Sequence, residues 1–172
     1  MKQLFTFPDP VNESSARLVA AGVVILTSAF LITQTSWILW VLAYGFVARV
    51  MTGPTLSPLG QIVTRGITPR LAIVHRYVPG PPKRFAQGIG ALLSVSAVVA
   101  YNGFGSGTLA VALVSAITFA ATLESVFGYC LGCKIFNGLM KVGVIPESIC
   151  EACASTRTTL AIIGQTAHGG DG

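Results

Sequence analysis

All four cysteines of the chain lie in its last third, as Cys130-Leu131-Gly132-Cys133 and Cys150-Glu151-Ala152-Cys153, a C-x2-C-x16-C-x2-C pattern. Two thiols three residues apart share a helical face, so each pair can pass between dithiol and disulfide or carry sulfane sulfur. Four thiolates at this spacing also suit a tetrahedral zinc or iron–sulfur site. A third reading makes them buried small hydrophobes without chemistry. The linker weighs against zinc. Lys134 to Met140 carries Ile135, Phe136, Leu139 and Met140 and reads as an amphipathic interfacial helix, whereas zinc ribbons set their cysteines in β-turn knuckles. Redox chemistry needs one thiolate near neutral pH and a second thiol to resolve the mixed disulfide. On that reading Cys130 attacks, Cys133 resolves, and Cys150 with Cys153 forms a second relay pair. Lys134 and Lys141 favour thiolate at the first pair, while Glu147 and Glu151 oppose it at the second.

Glu124 interrupts an otherwise apolar run shortly before Cys130. An acid at membrane depth is costly and calls for a partner or a task. Counted at about 1.5 Å per residue, Arg17, Arg49 and Glu124 reach a similar level. A buried ion pair between Glu124 and Arg17 or Arg49 is therefore expected, with proton acceptance from the dithiol as a second role for Glu124. His75 and His168 receive no role.

These residues need elements to hold them, and the composition says which kind. Of 172 residues 52% are hydrophobic and 10% charged, against about 25% charged in a soluble domain. Mean hydropathy is +0.72. Eleven Lys+Arg against six Asp+Glu give a net charge of +5, too few charges for a phosphate-tracking face, so no nucleic-acid partner is expected. The apolar residues form two long blocks, uncharged but for Glu124 in the second. One runs from Leu18 to Ala48 and breaks only at Thr33-Gln34-Thr35-Ser36; the other runs from Phe85 to Leu131 and breaks at the Gly-rich stretch from Tyr101 to Thr108. Each block reads as a helical hairpin. The expected fold is all-α: an integral membrane four-helix bundle of two hairpins, with spans over about 17–33, 36–51, 85–101 and 108–131, and interfacial helices on the cytoplasmic side. Residues 1–133 form the membrane domain with a cytoplasmic loop at 52–84, residues 134–160 a cysteine-bearing helical segment, and 161–172 a flexible tail.

Both hairpin tips are free of charge, and every Lys and Arg lies before span one, between spans two and three, or after span four. The positive-inside rule then puts both termini, the central loop and all four cysteines in the cytoplasm, with the protein in a bacterial inner membrane. In that reducing compartment a static disulfide is not expected. Smaller signals fill in the loops. Asp9-Pro10 reads as an N-cap followed by proline, with Glu13 and Arg17 as an i,i+4 pair; Ser57-Pro58 and Thr68-Pro69 start short helices; and Val78-Pro79-Gly80-Pro81-Pro82 reads as a stiff extended connector. Ala86 and Gly90 make a small-xxx-small pair suited to close helix packing.

An Asp-Pro-x-Asn segment, the run Pro79-Gly80-Pro81-Pro82-Lys83-Arg84-Phe85-Ala86-Gln87-Gly88-Ile89-Gly90, and Gly128-Tyr129-Cys130-Leu131-Gly132-Cys133-Lys134 occur together here. In these the chain resembles, over about residues 8–153, a family of small actinobacterial membrane proteins catalogued as a domain of unknown function. Such proteins are encoded near thioredoxin-like and rhodanese-like sulfurtransferase proteins. The resemblance therefore implies thiol or sulfur chemistry at the CLGC motif and a partner of one of those kinds. It supplies no catalytic residues. The expected function is a membrane-anchored dithiol that relays electrons or sulfur. The alternatives are a non-enzymatic scaffold with a four-cysteine zinc or iron–sulfur site, and a subunit of an oligomer or larger membrane complex.

Overall fold

The computed structural model describes residues 11–53, 55–67, 77–78 and 80–144. Cys150, Cys153, His75, His168, the Thr68-Pro69 start and the tail lie outside the described residues. The described chain is helical apart from a two-residue antiparallel ribbon, in which β1 (Val11–Asn12) pairs with β2 (Tyr77–Val78).

Helix α1 (Glu13–Thr33) begins where the Asn12 side chain accepts the Ser14 and Ser15 amides at 3.0 and 3.4 Å. The N-cap is thus Asn12, three residues beyond the Asp9 expected from sequence, and its Asx side chain satisfies the N2 and N3 amides. The helix ends at Gln34, whose left-handed φ of 51° reverses the chain into α2 (Ser36–Thr52). Ser57 then caps the single turn α3 (Pro58–Gln61), its Oγ accepting the Gly60 amide at 3.2 Å, and a π-helical turn over Ile62–Ile67 follows.

The second hairpin corrects the sequence reading at both ends. α4 (Gly80–Val98) starts before Pro81 and Pro82, so these prolines occupy its first turn and are not an extended connector. First-turn amides have no intrahelical acceptor, and proline there loses nothing. Beyond Val98 the helix continues as a π-helical turn over Val99–Gly103, so Tyr101, Asn102 and Gly103 belong to the helix and the turn proper is shorter than expected. α5 (Gly107–Phe127) returns, and α6 (Leu131–Lys141) lies beyond it.

α1 packs on α5, α2 on α4, and α4 also on α5 and α6. Two apolar clusters fill the bundle. Phe30, Leu39, Ala97 and Val114 lie toward the hairpin tips; Val23, Leu42, Phe46 and Ile117 lie toward the other end. Phe136 and Met140 of α6 pack against Phe85, with the Phe85 and Phe136 rings 5.5 Å apart. The tips are tied to one another: Ser36 bonds Asn102, and the Tyr101 hydroxyl donates to the Gln34 carbonyl.

The interior holds small polar side chains such as Thr27, Ser94 and Thr52, while large apolar ones face outward, including Ile25 (71% exposed), Leu92 (69%) and Phe119 (63%). Three helical stretches, Glu13–Thr33, Gly80–Gly103 and Gly107–Phe127, are long and apolar enough to cross a membrane; Ser36–Thr52 is shorter.

Candidate dithiol site

The end of α5 sets up the site. Gly128 turns into the left-handed region at φ 66° and donates to the Glu124 carbonyl at 3.0 Å. This stop leaves the Ser125 and Val126 carbonyls without helical partners. Arg17 from α1 caps them, donating to Ser125 O at 3.3 and 3.2 Å and to Val126 O at 2.8 Å. A cation there also complements the negative end of the helix dipole. The left-handed stop matters for the cysteines. Span four does not run on through Tyr129; the chain breaks and restarts, with Cys130 as the N-cap of α6 and Cys133 in its first turn.

Cys130 is buried and Cys133 half-buried, and both are free thiols. The Cys133 thiol as a neighbouring donor, helped by the Lys83 ammonium, holds the Cys130 thiol below its ordinary value against burial and the Glu124 charge. The same donor role, with burial and the neighbouring Cys130 charge, pushes the Cys133 thiol up. One thiol is thus primed and the other held protonated, the asymmetry of an attacking and a resolving pair.

The charge beside the thiols was assigned by sequence to other cations. Glu124 pairs with Lys83 of α4, and not with Arg17 or Arg49. Arg17 is engaged at the end of α5. Arg49, 5% exposed, donates from Nε to Gly45 O at 2.9 Å and lies 4.5 Å from the Phe46 ring centroid. Arg49 thus has its Nε–H engaged on α2 and stands in the cavity that Glu124 also lines, while the carboxylate's ion pair is made with Lys83. Nor is Lys134 or Lys141 the cation that acts on Cys130: Lys134 Nζ sits 5.4 Å over the Tyr129 ring, and Lys83 fills the role. Lys83 escaped the sequence reading because Pro81-Pro82 was taken as the end of a loop. A proline pair in a first helical turn was the signal, and Lys83 then counts to the depth of Glu124.

Between α1, α2, α4 and α5, with the start of α6 at one end, lies a half-enclosed cavity of about 560 Å³. Arg49, Lys83, Gln87, Glu124 and Cys130 all line it. Among the described residues no group of three or more His, Cys, Asp or Glu side chains is placed to hold a metal ion. Cys150 and Cys153, the other half of a four-thiolate site, lie outside those residues.

The thiol asymmetry gives a pH signature. Below the ordinary thiol range, iodoacetamide is expected to modify Cys130 and spare Cys133. Cys133→Ala removes the donor that favours the Cys130 thiolate, so the midpoint of Cys130 alkylation should move to higher pH. Mass spectrometry across a pH series checks both; equal modification of the two cysteines at every pH would contradict the asymmetry.

Comparison with curated proteins and with solved structures gives no match. The family described as "Domain of unknown function (DUF4395)" matches residues 11–141, and the chain belongs to that family.

Proposed function

We propose that this protein is a four-span membrane protein, with both termini and the dithiol on the cytoplasmic side of a bacterial inner membrane, that passes electrons or sulfane sulfur through Cys130 and Cys133. Support for the membrane setting comes from the apolar exterior, the small polar interior, and aromatic side chains at both ends of the bundle. Trp37, Trp40 and Phe104 are exposed near the tips, and Phe127 and Tyr129 at the opposite end. The fourth span is α2, whose 17 residues need a tilt-free crossing or locally thinned bilayer. Support for the chemistry comes from one observation above all: Cys130 at the N-cap position of α6 and Cys133 in its first turn are free thiols three residues apart, one buried and one half-buried, beside the Lys83–Glu124 pair.

In the relay the Cys130 thiolate attacks one sulfur of a partner disulfide, forming a mixed disulfide and releasing one partner thiolate. Cys133 then gives up its proton and attacks Cys130 Sγ. The Cys130–Cys133 disulfide forms, the mixed bond breaks, and the second partner thiolate leaves. Two electrons and two protons pass from this dithiol to the partner, with the Glu124 carboxylate accepting the proton that Cys133 loses. The partner fitting this chemistry is thioredoxin-like, or a rhodanese-like sulfurtransferase if the cargo is sulfane sulfur on Cys130.

Trapping tests the reading. In cells, Cys133→Ser removes the resolving thiol, so Cys130 should accumulate in a mixed disulfide or persulfide with a partner that a thiol-specific tag recovers and dithiothreitol releases. Cys130→Ser should trap nothing. Equal recovery from both variants, or none from either, would end the relay proposal.

A further inference from the structure

The cavity beside the dithiol has features the relay does not use. It runs from the polar end, where Cys130, Lys83 and Arg49 stand, along apolar side chains such as Val23 and Leu93, and one of its walls is Ala116, which is exposed on the outer face of α5. It therefore meets the surface that would face lipid, and its volume is within the range of small-molecule sites. Gln87, one turn along α4 from Lys83, also lines it, and its Oε1 is buried with no hydrogen-bond partner among the described residues. A buried acceptor without a donor costs free energy that a ligand hydroxyl can recover.

A ligand for this site needs an apolar body, an entry route from the bilayer, an oxygen that accepts from cations, and, in another state, a hydroxyl that donates to Gln87. It also lies against a thiol pair that can lose two electrons. We infer that the cavity binds a lipid-soluble quinone and that the quinone is the oxidant of the Cys130–Cys133 dithiol. This rests on the dithiol reading above with its exchange run in reverse: a thioredoxin-like dithiol reduces the Cys130–Cys133 disulfide, and the quinone, its membrane-side co-substrate, reoxidises the pair. Cys130 sulfur adds to the quinone ring. Cys133 sulfur then attacks Cys130 Sγ, the S–S bond forms as the C–S bond breaks, and the electron pair stays on the ring. The two thiol protons, one handed on by Glu124, complete the quinol. The dithiol loses two electrons and two protons, and the quinone gains both. Arg49 and Lys83 stabilise negative charge on the ring oxygen during the transfer, and Gln87 Oε1 accepts from the quinol hydroxyl.

The full chain in lipid nanodiscs, reduced and freed of reductant under anaerobic conditions, is mixed with decyl-ubiquinone, whose fully substituted ring does not simply arylate thiols. Quinol is followed by absorbance and the disulfide by mass spectrometry. One quinol per Cys130–Cys133 disulfide is expected. Gln87→Leu should slow the reaction about tenfold through kcat with the KM for the quinone little changed, because Oε1 accepts only from the hydroxyl that forms as the ring is reduced. Ala116→Trp, a change at an exposed position, should abolish it while the soluble oxidant diamide still forms the disulfide. If diamide oxidises the pair but decyl-ubiquinone does not, or oxidises Ala116→Trp equally fast, the quinone inference is overturned and the dithiol reading stands. A phospholipid held in the cavity that decyl-ubiquinone does not displace overturns it too. If neither oxidant forms the disulfide, the dithiol reading falls with it.

Discussion

Lys83→Met is expected to destabilise the protein by about 3 kcal/mol, because it leaves the Glu124 carboxylate without its partner. The Lys83 side chain is 8% exposed and that of Glu124 21% exposed, so solvent replaces little of the lost interaction. Removing one member of a buried pair costs roughly 3 to 5 kcal/mol in soluble proteins. The lower end applies here, since Arg49 lines the same cavity and Glu124 is not wholly buried. For a chain of this size the loss corresponds to a fall in thermal midpoint on the order of 10 °C. The double variant Lys83→Met with Glu124→Leu removes both charges and should recover most of the stability. A double variant no more stable than Lys83→Met would show that the pair is not what holds α4 to α5. The single variants also separate two roles. Lys83 favours the Cys130 thiolate and Glu124 opposes it, so Lys83→Met should slow Cys130 alkylation at neutral pH and Glu124→Gln should speed it.

Gly132→Ala is expected to have the second large effect, and to act on the thiols through packing. A Cβ at Gly132 would come 2.5 Å from both Cα and Cβ of Ala86, a contact with α4 backbone that no side-chain rotation relieves. α6 must move away from α4, and overpacking of this kind costs roughly 1 to 3 kcal/mol. Because Cys130 and Cys133 flank Gly132, and Lys83 lies one turn from Ala86, the displacement separates the thiols from their cation. Slower alkylation of Cys130 should accompany the lower stability. Gly138→Ala is the control: a Cβ there meets nothing within 4 Å, and helix propensity alone should make it neutral or slightly stabilising. Indistinguishable behaviour of the two alanine variants would contradict the close α4–α6 contact.

How much of this was legible in the sequence follows from the range of each signal. Long uncharged runs and their polar breaks mark helices and turns because the signal sits in consecutive residues, and the helix after Cys130 was visible in the spacing of Ile135, Phe136, Leu139 and Met140. The Ala86 and Gly90 pair signalled close packing without saying against what. In the structure each small residue meets a different neighbour, Ala86 facing Gly132 of α6 and Gly90 the Phe46 ring of α2. The partner of Glu124 was misassigned because depth along an axis does not say which helices are adjacent. Two cations, Arg17 and Arg49, count to its level, yet the structure pairs it with Lys83 of α4 while Arg17 on the adjoining α1 caps the end of α5. The sequence reading names Cys130 as attacker and Cys133 as resolver without the left-handed stop at Gly128, which makes Cys130 an N-cap residue and not an interior helical one.

The central claim, that Cys130 and Cys133 form a working dithiol, is tested most directly by redox titration of the protein in lipid nanodiscs, with metal content measured on the same sample. Equilibration against graded ratios of reduced and oxidised dithiothreitol, followed by alkylation and mass spectrometry, counts free thiols at each potential. The account predicts a single reversible two-electron transition linking Cys130 to Cys133, lost in Cys130→Ser and in Cys133→Ser. Thiols that stay reduced at every ratio, or that are held by stoichiometric zinc or iron and cannot be oxidised until it is removed, would contradict it.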